Sequence, residues 1–408
     1  MEKSEATLPF PDRHQTFWQL ASIQSAATGI PVIIVGGQLA VQYGAGAAIT
    51  SVILGNLILW TVGLGIISMA APNRDNALQN VSRYLGKTGG MSAALFLILS
   101  FLAWYILQLN AANAAIAHLL SHREAPLQLG AGLGAFIALL SIGGIQFIKK
   151  YCVAVFPLLF AFVVYSIVRS APHFHMDSLW EFSFFGTIAI ISTTLPGIVN
   201  LPTFFRHSRS QYDSYLGLSL MIAFTIIFQI YTITSNIYDI SSIITNNYTY
   251  VIILSSFILL SLVSSNLVNI YFASAGWEMI FPHRKSNKEF VIVGLLGTAA
   301  YTFLQISAPM EFILSMAENF IASLGVVLLM SFLIKMFASH RPRPYEKLIN
   351  MGCWFFGALV GTVLSAKDHI GASHALIISF SATSIAFMCV IYIEETYWSM
   401  RKVITKIK

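Results

Sequence analysis

Trp104 and Gln108 stand four residues apart in one of a series of apolar runs, so on a helix they share a face. An indole offers a flat stacking surface, and a carboxamide offers a donor and an acceptor that match a ring edge carrying N–H and C=O. A second cluster, Ser261, Ser264, Ser265, Asn266 and Asn269, interrupts a later apolar run. Serines at i, i+3 and i+4 also share a face, and their hydroxyls can join freed backbone carbonyls near Thr28 around a small hard cation such as Na+. Asn266 and Asn269 are then placed to bond a solute. The competing account is packing: Trp and Gln serve helix contacts, and small hydroxylated residues let helices approach closely.

One carboxylate, Glu318, falls inside an apolar run, where its cost makes proton coupling the alternative to Na+. Glu311 lies close enough to a run's outer end to be solvated. His118 and His122 are spaced i, i+4, and His173 and His175 lie close together, but neither pair has a third ligand, so both read as surface residues. Two runs carry helix breakers near their centres. The first reads Thr28-Gly29-Ile30-Pro31, the other Pro196-Gly197-Ile198-Val199-Asn200. Proline removes a backbone donor and clashes with the preceding turn, so both helices are expected to open at mid-membrane, where freed backbone is tolerated only around a buried or watery cavity. Paired interruptions five spans apart point to an inverted-repeat transporter with its site at the breaks, among Gly29, Gly197 and Asn200.

The elements that must position these residues follow from composition. The chain is 56% hydrophobic and 10% charged, with a mean hydropathy of +0.73, too little charge to cover a water-facing surface. Apolar runs of about 20 residues, each able to cross roughly 30 Å of hydrocarbon, fall near 17–42, 47–69, 91–118, 127–148, 151–168, 184–205, 215–236, 250–273, 290–306, 310–336, 349–364 and 375–393. With the N-terminus cytoplasmic, this twelve-pass reading leaves only Arg123, Arg169 and Lys367 of the 23 Lys and Arg outside. That asymmetry satisfies the positive-inside rule, and one missed span would invert every later loop. The expectation is a multi-pass protein of the plasma (bacterial inner) membrane with both termini cytoplasmic. The mixed polar start lacks a small-residue cleavage site, so no removable signal is expected. Basic residues clustered between apolar runs write topology, not nucleic-acid binding. Cys152, Cys353 and Cys389 are scattered and suit neither a disulfide framework nor a metal site.

Several motifs resemble the nucleobase:cation symporter-1 family, which includes the cytosine permeases and the hydantoin transporter. Gly36-Gly37 with Leu39, then Gly55-Asn56, are similar to the cytosine permeases' first two spans, and a basic loop ending Arg83-Tyr84-Leu85-Gly86 through Gly89 follows. Trp104 with Gln108 is similar to the hydantoin transporter's stacking Trp and hydrogen-bonding Gln. Phe205-Arg206 with Arg209, Ser264-Ser265-Asn266 with Tyr271, and Ile321 through Gly325 continue the order over about 300 residues. Departures are Thr203 for an Asp, Ala322-Ser323 for Pro-Pro, Ser331 for a later Asp, and an offset Asn269. Glu318 stands where cytosine permeases have a small residue.

The resemblance implies an all-α polytopic membrane protein of the leucine-transporter type, a five-plus-five inverted repeat with two added C-terminal helices. The divisions are a cytoplasmic segment 1–16, a first repeat 17–170, a second repeat 183–336, added helices 349–395, and a basic tail 396–408. The expected activity is cation-coupled import of a planar nitrogenous heterocycle (a cytosine, purine, hydantoin or pyrimidine vitamin precursor) by a protein with Na+ or H+ as coupling ion and no other cofactor, working as a monomer among membrane lipids. The alternatives are an amino-acid or amine transporter of the same fold and a transport-inactive solute sensor. A membrane enzyme is disfavoured, since the sequence holds no His-Glu-x-x-His, no Gly-x-Ser-x-Gly and no clustered carboxylates.

Overall fold

Hydrocarbon offers no partner to a backbone amide, so an apolar run that enters it must close its own hydrogen-bond ladder. The runs do so as α-helices. The computed structural model describes residues 14–119, 126–169, 181–234, 248–281, 287–307, 310–337, 345–366 and 372–407. In chain order the helices are α1 (Phe17–Ala26), α2 (Ile30–Tyr43), α3 (Ala45–Ala70), α4 (Ala77–Leu119), α5 (Leu127–Leu140), α6 (Gly144–Arg169), α7 (Phe184–Asn200), α8 (Pro202–Phe205), α9 (Gln211–Thr234), α10 (Tyr248–Ile280), α11 (Lys288–Ser307), α12 (Met310–Phe337), α13 (Glu346–Ser365) and α14 (Ala372–Ile407). With α1–α2 and α7–α8 each taken as one interrupted rod, twelve rods result. Among the described residues nine stretches are long and apolar enough to cross a membrane, and one of these, Leu127–Tyr165, runs through both α5 and α6.

Boundaries depart from expectation in three places. The loop expected around Arg83 to Gly89 is helical, part of α4, and only Gly86 leaves the helix, at φ 79°. The fourth and fifth rods meet at Gly143–Gly144, not beside Lys149 and Lys150, because Gly144 takes φ 63°, which turns the chain at little steric cost. The tail from residue 396 continues α14 as helix to Ile407. His122, His173, His175, Arg123 and Lys367 lie outside the described residues, as do the side chains of His118, Glu311 and Arg169.

Two helical groups emerge from the packing. In one, α1, α2, α3, α7 and α9 pack on each other; in the other, α4 packs along α10, and α5 along α11. Backbone contacts made by polar side chains hold the first group. Gln229 donates to the Val32 carbonyl (3.1 Å), Thr232 to that of Ile33 (2.9 Å), and the Gly37 amide donates to Thr232 Oγ1 (3.1 Å). Asn56 supports Gln229 from α3 at 2.8 Å. In the second group the Tyr105 hydroxyl donates to the Gly134 carbonyl (2.8 Å), and Asn113 donates to the Tyr301 hydroxyl (3.1 Å). α12, α13 and α14 form a third unit, joined through Trp354 donating to the Phe320 carbonyl (2.7 Å) and through Ser323, Ser379 and Thr383.

One end of the first group is strapped by the N-terminal segment. The Gln15 amide donates to the His207 carbonyl (3.1 Å), the Arg209 amide returns to the Gln15 carbonyl (2.8 Å), and Arg74 donates to the Ser208 carbonyl (2.9 Å).

Gly36 is what lets α2 reach α9: a Cβ there would stand 2.4 Å from the Gln229 carbonyl oxygen, a backbone atom that cannot rotate away. Gly36→Ala should therefore cost ~1–3 kcal/mol of overpacking and lower the unfolding temperature of the detergent-solubilised protein. Gly352→Ala, with nothing within 4 Å of its Cβ, should leave that temperature unchanged; equal behaviour of the two variants would refute the close-approach argument.

Candidate functional site

The first rod breaks where its sequence places the break. α1 stops at Ala26, the Thr28 amide reaches only the Ser25 carbonyl (3.1 Å), and Gly29 is extended at φ −76°, ψ 166°. Pro31 then falls in the first turn of α2, where its missing N–H removes no helical bond. The sixth rod behaves differently from expectation. α7 runs through Pro196 and Gly197 to Asn200, and the interruption falls later, at Leu201, ahead of Pro202. Side-chain hydroxyls shore up the turn before Pro196: Ser192 and Thr193 donate to the Ala189 carbonyl at 2.9 and 3.2 Å, and Thr193 also reaches that of Ile190 at 3.0 Å. Pro196 nevertheless stays inside the helix.

Between the break and α4 lies a cavity of about 90 Å³. α4 presents Trp104 and Gln108 to it, α1 and the break present Gln24 and Thr28, α7 presents Thr193, Thr194 and Gly197, and α10 presents Asn269. Phe101, Val268 and Phe272 are among its apolar walls, and no lining residue is charged. Trp104 and Gln108 are 6% and 5% exposed. Gly29 lies behind Gln108, since a Cβ on it would stand 2.5 Å from the Gln108 amide nitrogen. A glycine at that position therefore clears the room in which the carboxamide lies. The cavity-side Cβ position of Gly197 is open space.

Two expected contacts move away from the cavity. Asn200 accepts from the Thr203 hydroxyl (2.7 Å) at the α7–α8 interruption, so its amide stabilises that turn and does not line the cavity. Asn266 is also absent from the lining: its amide donates to the Tyr105 carbonyl (3.3 Å) and its oxygen accepts from Asn269 (3.2 Å). Asn266 thus fixes the one asparagine, Asn269, that does line it. Glu318 sits half-buried in α12 and is not a lining residue either.

The serine cluster meets the first rod at Ala26, two residues before Thr28. Ser264 Oγ lies 2.6 Å from the Ala26 carbonyl, 2.8 Å from that of Leu260 and 3.1 Å from that of Ser261. Ser265 Oγ lies 2.7 Å from the same Ser261 carbonyl. Ser261 enters through its carbonyl; its own hydroxyl is buried without a partner. A hydroxyl has one proton to donate, so Ser264 cannot serve three carbonyls at once, and the nest holds more oxygen acceptors than protons. Among the described residues no group of three His, Cys, Asp or Glu side chains could hold a metal ion.

Gln24 and Thr194 are lining residues that the sequence reading passed over. Gln24 is a polar residue in an apolar run, five positions before Gly29, and the rule that singled out Gln108 would have found it. A second cavity, of about 100 Å³, lies beside the N-terminal strap, lined in part by Arg74, Asp75 and Arg206, and shares no residue with the first.

No family model matches the chain, and no curated protein does. Solved structures do. A nucleobase-cation-symport-1 family transporter in a closed conformation with bromovinylhydantoin bound is 17% identical with a TM-score of 0.71, covering 97% of this chain and 96% of that one. A Na+-coupled sialic acid symporter in a substrate-bound outward-open state is 14% identical with a TM-score of 0.63, covering 94% and 92%. The Eremococcus coleocola manganese transporter is 14% identical with a TM-score of 0.59, covering 95% of each chain. At these identities the likeness is one of backbone alone, and it gives the chain the leucine-transporter fold.

Proposed function

We propose that this protein is a secondary active transporter of the nucleobase:cation symporter-1 type, importing a planar, uncharged nitrogenous heterocycle together with a cation. The supporting observation is the cavity at the broken first rod, where an indole and a carboxamide one helical turn apart meet helix-break backbone with no charged side chain in the lining. In this reading Trp104 stacks on the ring, Gln108 and Asn269 bond its edge, and Gly29 and Gly197 leave it room. The amino-acid or amine alternative finds less support. An amine would need a carboxylate such as Glu318, which is not among the lining residues.

Na+ is the coupling ion best served by the residues. Ala26 and Ser261 supply carbonyls, Ser264 and Ser265 supply hydroxyls, and these neutral oxygens suit a hard monovalent cation. The nest joins α1 to α10 and the cavity joins α1 and α7 to α4, so ion and ring both bridge the two helical groups. Alternating access then consists of those groups rocking about the bridged site. The repeats 17–170 and 183–336 each begin with an interrupted rod, which supports an inverted five-plus-five arrangement, and the placement of Lys and Arg supports cytoplasmic termini.

Uptake into proteoliposomes tests the reading. A panel of labelled nucleobases and hydantoins should include a ring that accumulates under an inward Na+ gradient, and amino acids should not accumulate. Binding that is saturable without accumulation would instead identify a sensor. By linkage, saturating Na+ should raise ring affinity by the same factor as saturating ring raises Na+ affinity, and Ser264→Ala should abolish both effects; an unchanged Na+ response in that variant, or coupling that follows a proton gradient alone, would reject the assigned nest. Trp104→Ala should weaken ring binding roughly five- to 150-fold, given ~1–3 kcal/mol for stacking a base on an aromatic ring; normal transport by this variant would remove the stacking role.

A further inference from the structure

The strapped end of the first helical group holds the second cavity, of about 100 Å³, which the transport reading does not use. Arg74 and Asp75 line it from the turn after α3, Arg206 and Ser208 from the segment that ends α8, and Ser214 from the first turn of α9. Arg206 is 6% exposed. Its Nε donates to His207 Nε2 (3.3 Å), but its Nη2 has no hydrogen-bond partner. Several neutral amides and hydroxyls share that condition, and a water can answer each of them. Among the described residues, however, Arg206 Nη2 is the one buried, unpartnered atom that belongs to a cation, and a buried charge left unpaired costs more than a neutral orphan.

The groups around it do not supply the missing partner. Tyr271 of α10 lies against the guanidinium, yet its hydroxyl is without a hydrogen bond as well. Asp75 is ion-paired with Arg83, and Asp213 accepts from Ser210 and from Arg209 (3.4 Å). Glu278, beyond Tyr271, is not in the cavity wall. Arg74 adds a second guanidinium. Its backbone is held at φ 53°, a left-handed conformation uncommon for a residue with a Cβ, and its Nη1 donates to the Ser208 carbonyl (2.9 Å). Arg74 and Arg206 are thus the charges left over once Arg83 has neutralised Asp75. Ser208 Oγ accepts from Ser214 (2.9 Å), which leaves the Ser208 proton to donate.

The geometry points to this cavity as a binding site for a phosphate-class oxyanion, held between Arg74 and Arg206 with the Ser208 hydroxyl as a further donor. Guanidinium forks match phosphate oxygens two at a time. The space suits one such group, being well short of the ~300 Å³ at which pockets for drug-sized molecules begin. In the charge reading above this end is cytoplasmic, where the group arrives either as the free ion or as the headgroup of an anionic lipid. A bound anion joins the turn after α3 to the segment on which the Gln15 strap is hydrogen-bonded, and so stiffens the strapped end. None of this depends on which solute the first cavity takes.

Equilibrium binding of radiolabelled inorganic phosphate to the purified full-length protein, in chloride at fixed ionic strength, tests the site. Saturable binding is expected, with a rise in unfolding temperature over the same concentration range. Arg206→Gln and Arg74→Gln should each weaken binding roughly tenfold or more, while Lys87→Gln, an exposed change on α4, should leave it unaltered. Lipid discs of phosphatidylcholine with and without phosphatidic acid separate the two sources. Phosphate displaced by phosphatidic acid names the headgroup, and phosphate binding undiminished by it names the free ion. Binding that survives both arginine changes, or that all three variants weaken equally, overturns the proposal. So does a protein that takes up no phosphate and is not stabilised by phosphatidic acid, since water alone then fills the cavity. Should Arg206→Gln not fold, Arg74→Gln decides by the same criteria.

Discussion

A helix cannot be opened inside hydrocarbon unless something else receives its freed backbone groups, and the break between Ala26 and Ile30 makes this demand at the centre of the fold. Its geometry dictates what surrounds it. α10 answers with Ser264 against the Ala26 carbonyl, and α9 anchors the restart of α2 through Gln229 and Thr232 on the Val32 and Ile33 carbonyls, while Gln108 of α4 fills the space beside Gly29. Each contribution comes from a different helix, so one short non-helical segment gathers polar side chains from α4, α9 and α10. The cavity is the space those answers leave.

The same constraint explains why the rest of the packing is tight where it is. Gly36 allows α2 to touch the backbone of α9, and Gly276 lets α10 lie against α4, where a Cβ would stand 3.0 Å from the Ala94 carbonyl oxygen. Such contacts make each helical group stiff within itself. Between the groups, near the break, the cavity interrupts the packing, and Ser264 on the Ala26 carbonyl bridges it. Rigid bodies with a soft seam are what the proposed rocking requires, and stiffness inside a group is what would let a small ligand at the seam move an entire group.

Much of this was legible in the chain because hydropathy and charge placement are global signals. Twelve runs and a lopsided distribution of Lys and Arg survive errors of several residues. The first break was legible because Pro31 lacks the amide that would continue α1, so the helix stops before it and restarts with the proline in its first turn. Pro196 with Gly197 looks like the same signal in reverse order, yet α7 continues through both to Asn200, since a single proline can be carried inside a membrane helix as a local loss of one bond. Trp104, Gln108 and the serine face were found from spacing. Asn200 and Asn266 were placed in the site by residue type, but an asparagine's partner is decided by its neighbours in space, Thr203 for one and Tyr105 with Asn269 for the other. Gln24 was missed although it, like Gln108, is a polar residue in an apolar run, because no aromatic side chain stands one turn away to mark its face as Trp104 does for Gln108.

The break also divides labour by sign. α1 ends at Ala26, so its carbonyl-rich, partially negative end points at the serine nest. α2 begins after Gly29, so its amide-rich, partially positive end points back toward the gap. In the proposed reading a cation suits the first and a ring carbonyl suits the second, and neither needs a formal charge on the protein. Such a charge would have to be desolvated in every state of a transport cycle, at several kcal/mol for an unpaired ion. Opposed helix ends with neutral side chains avoid that cost, which is a physical reason for a coupled site to be built from Gln, Asn, Ser and Thr around an interrupted helix while the carboxylate of Glu318 stands apart in α12.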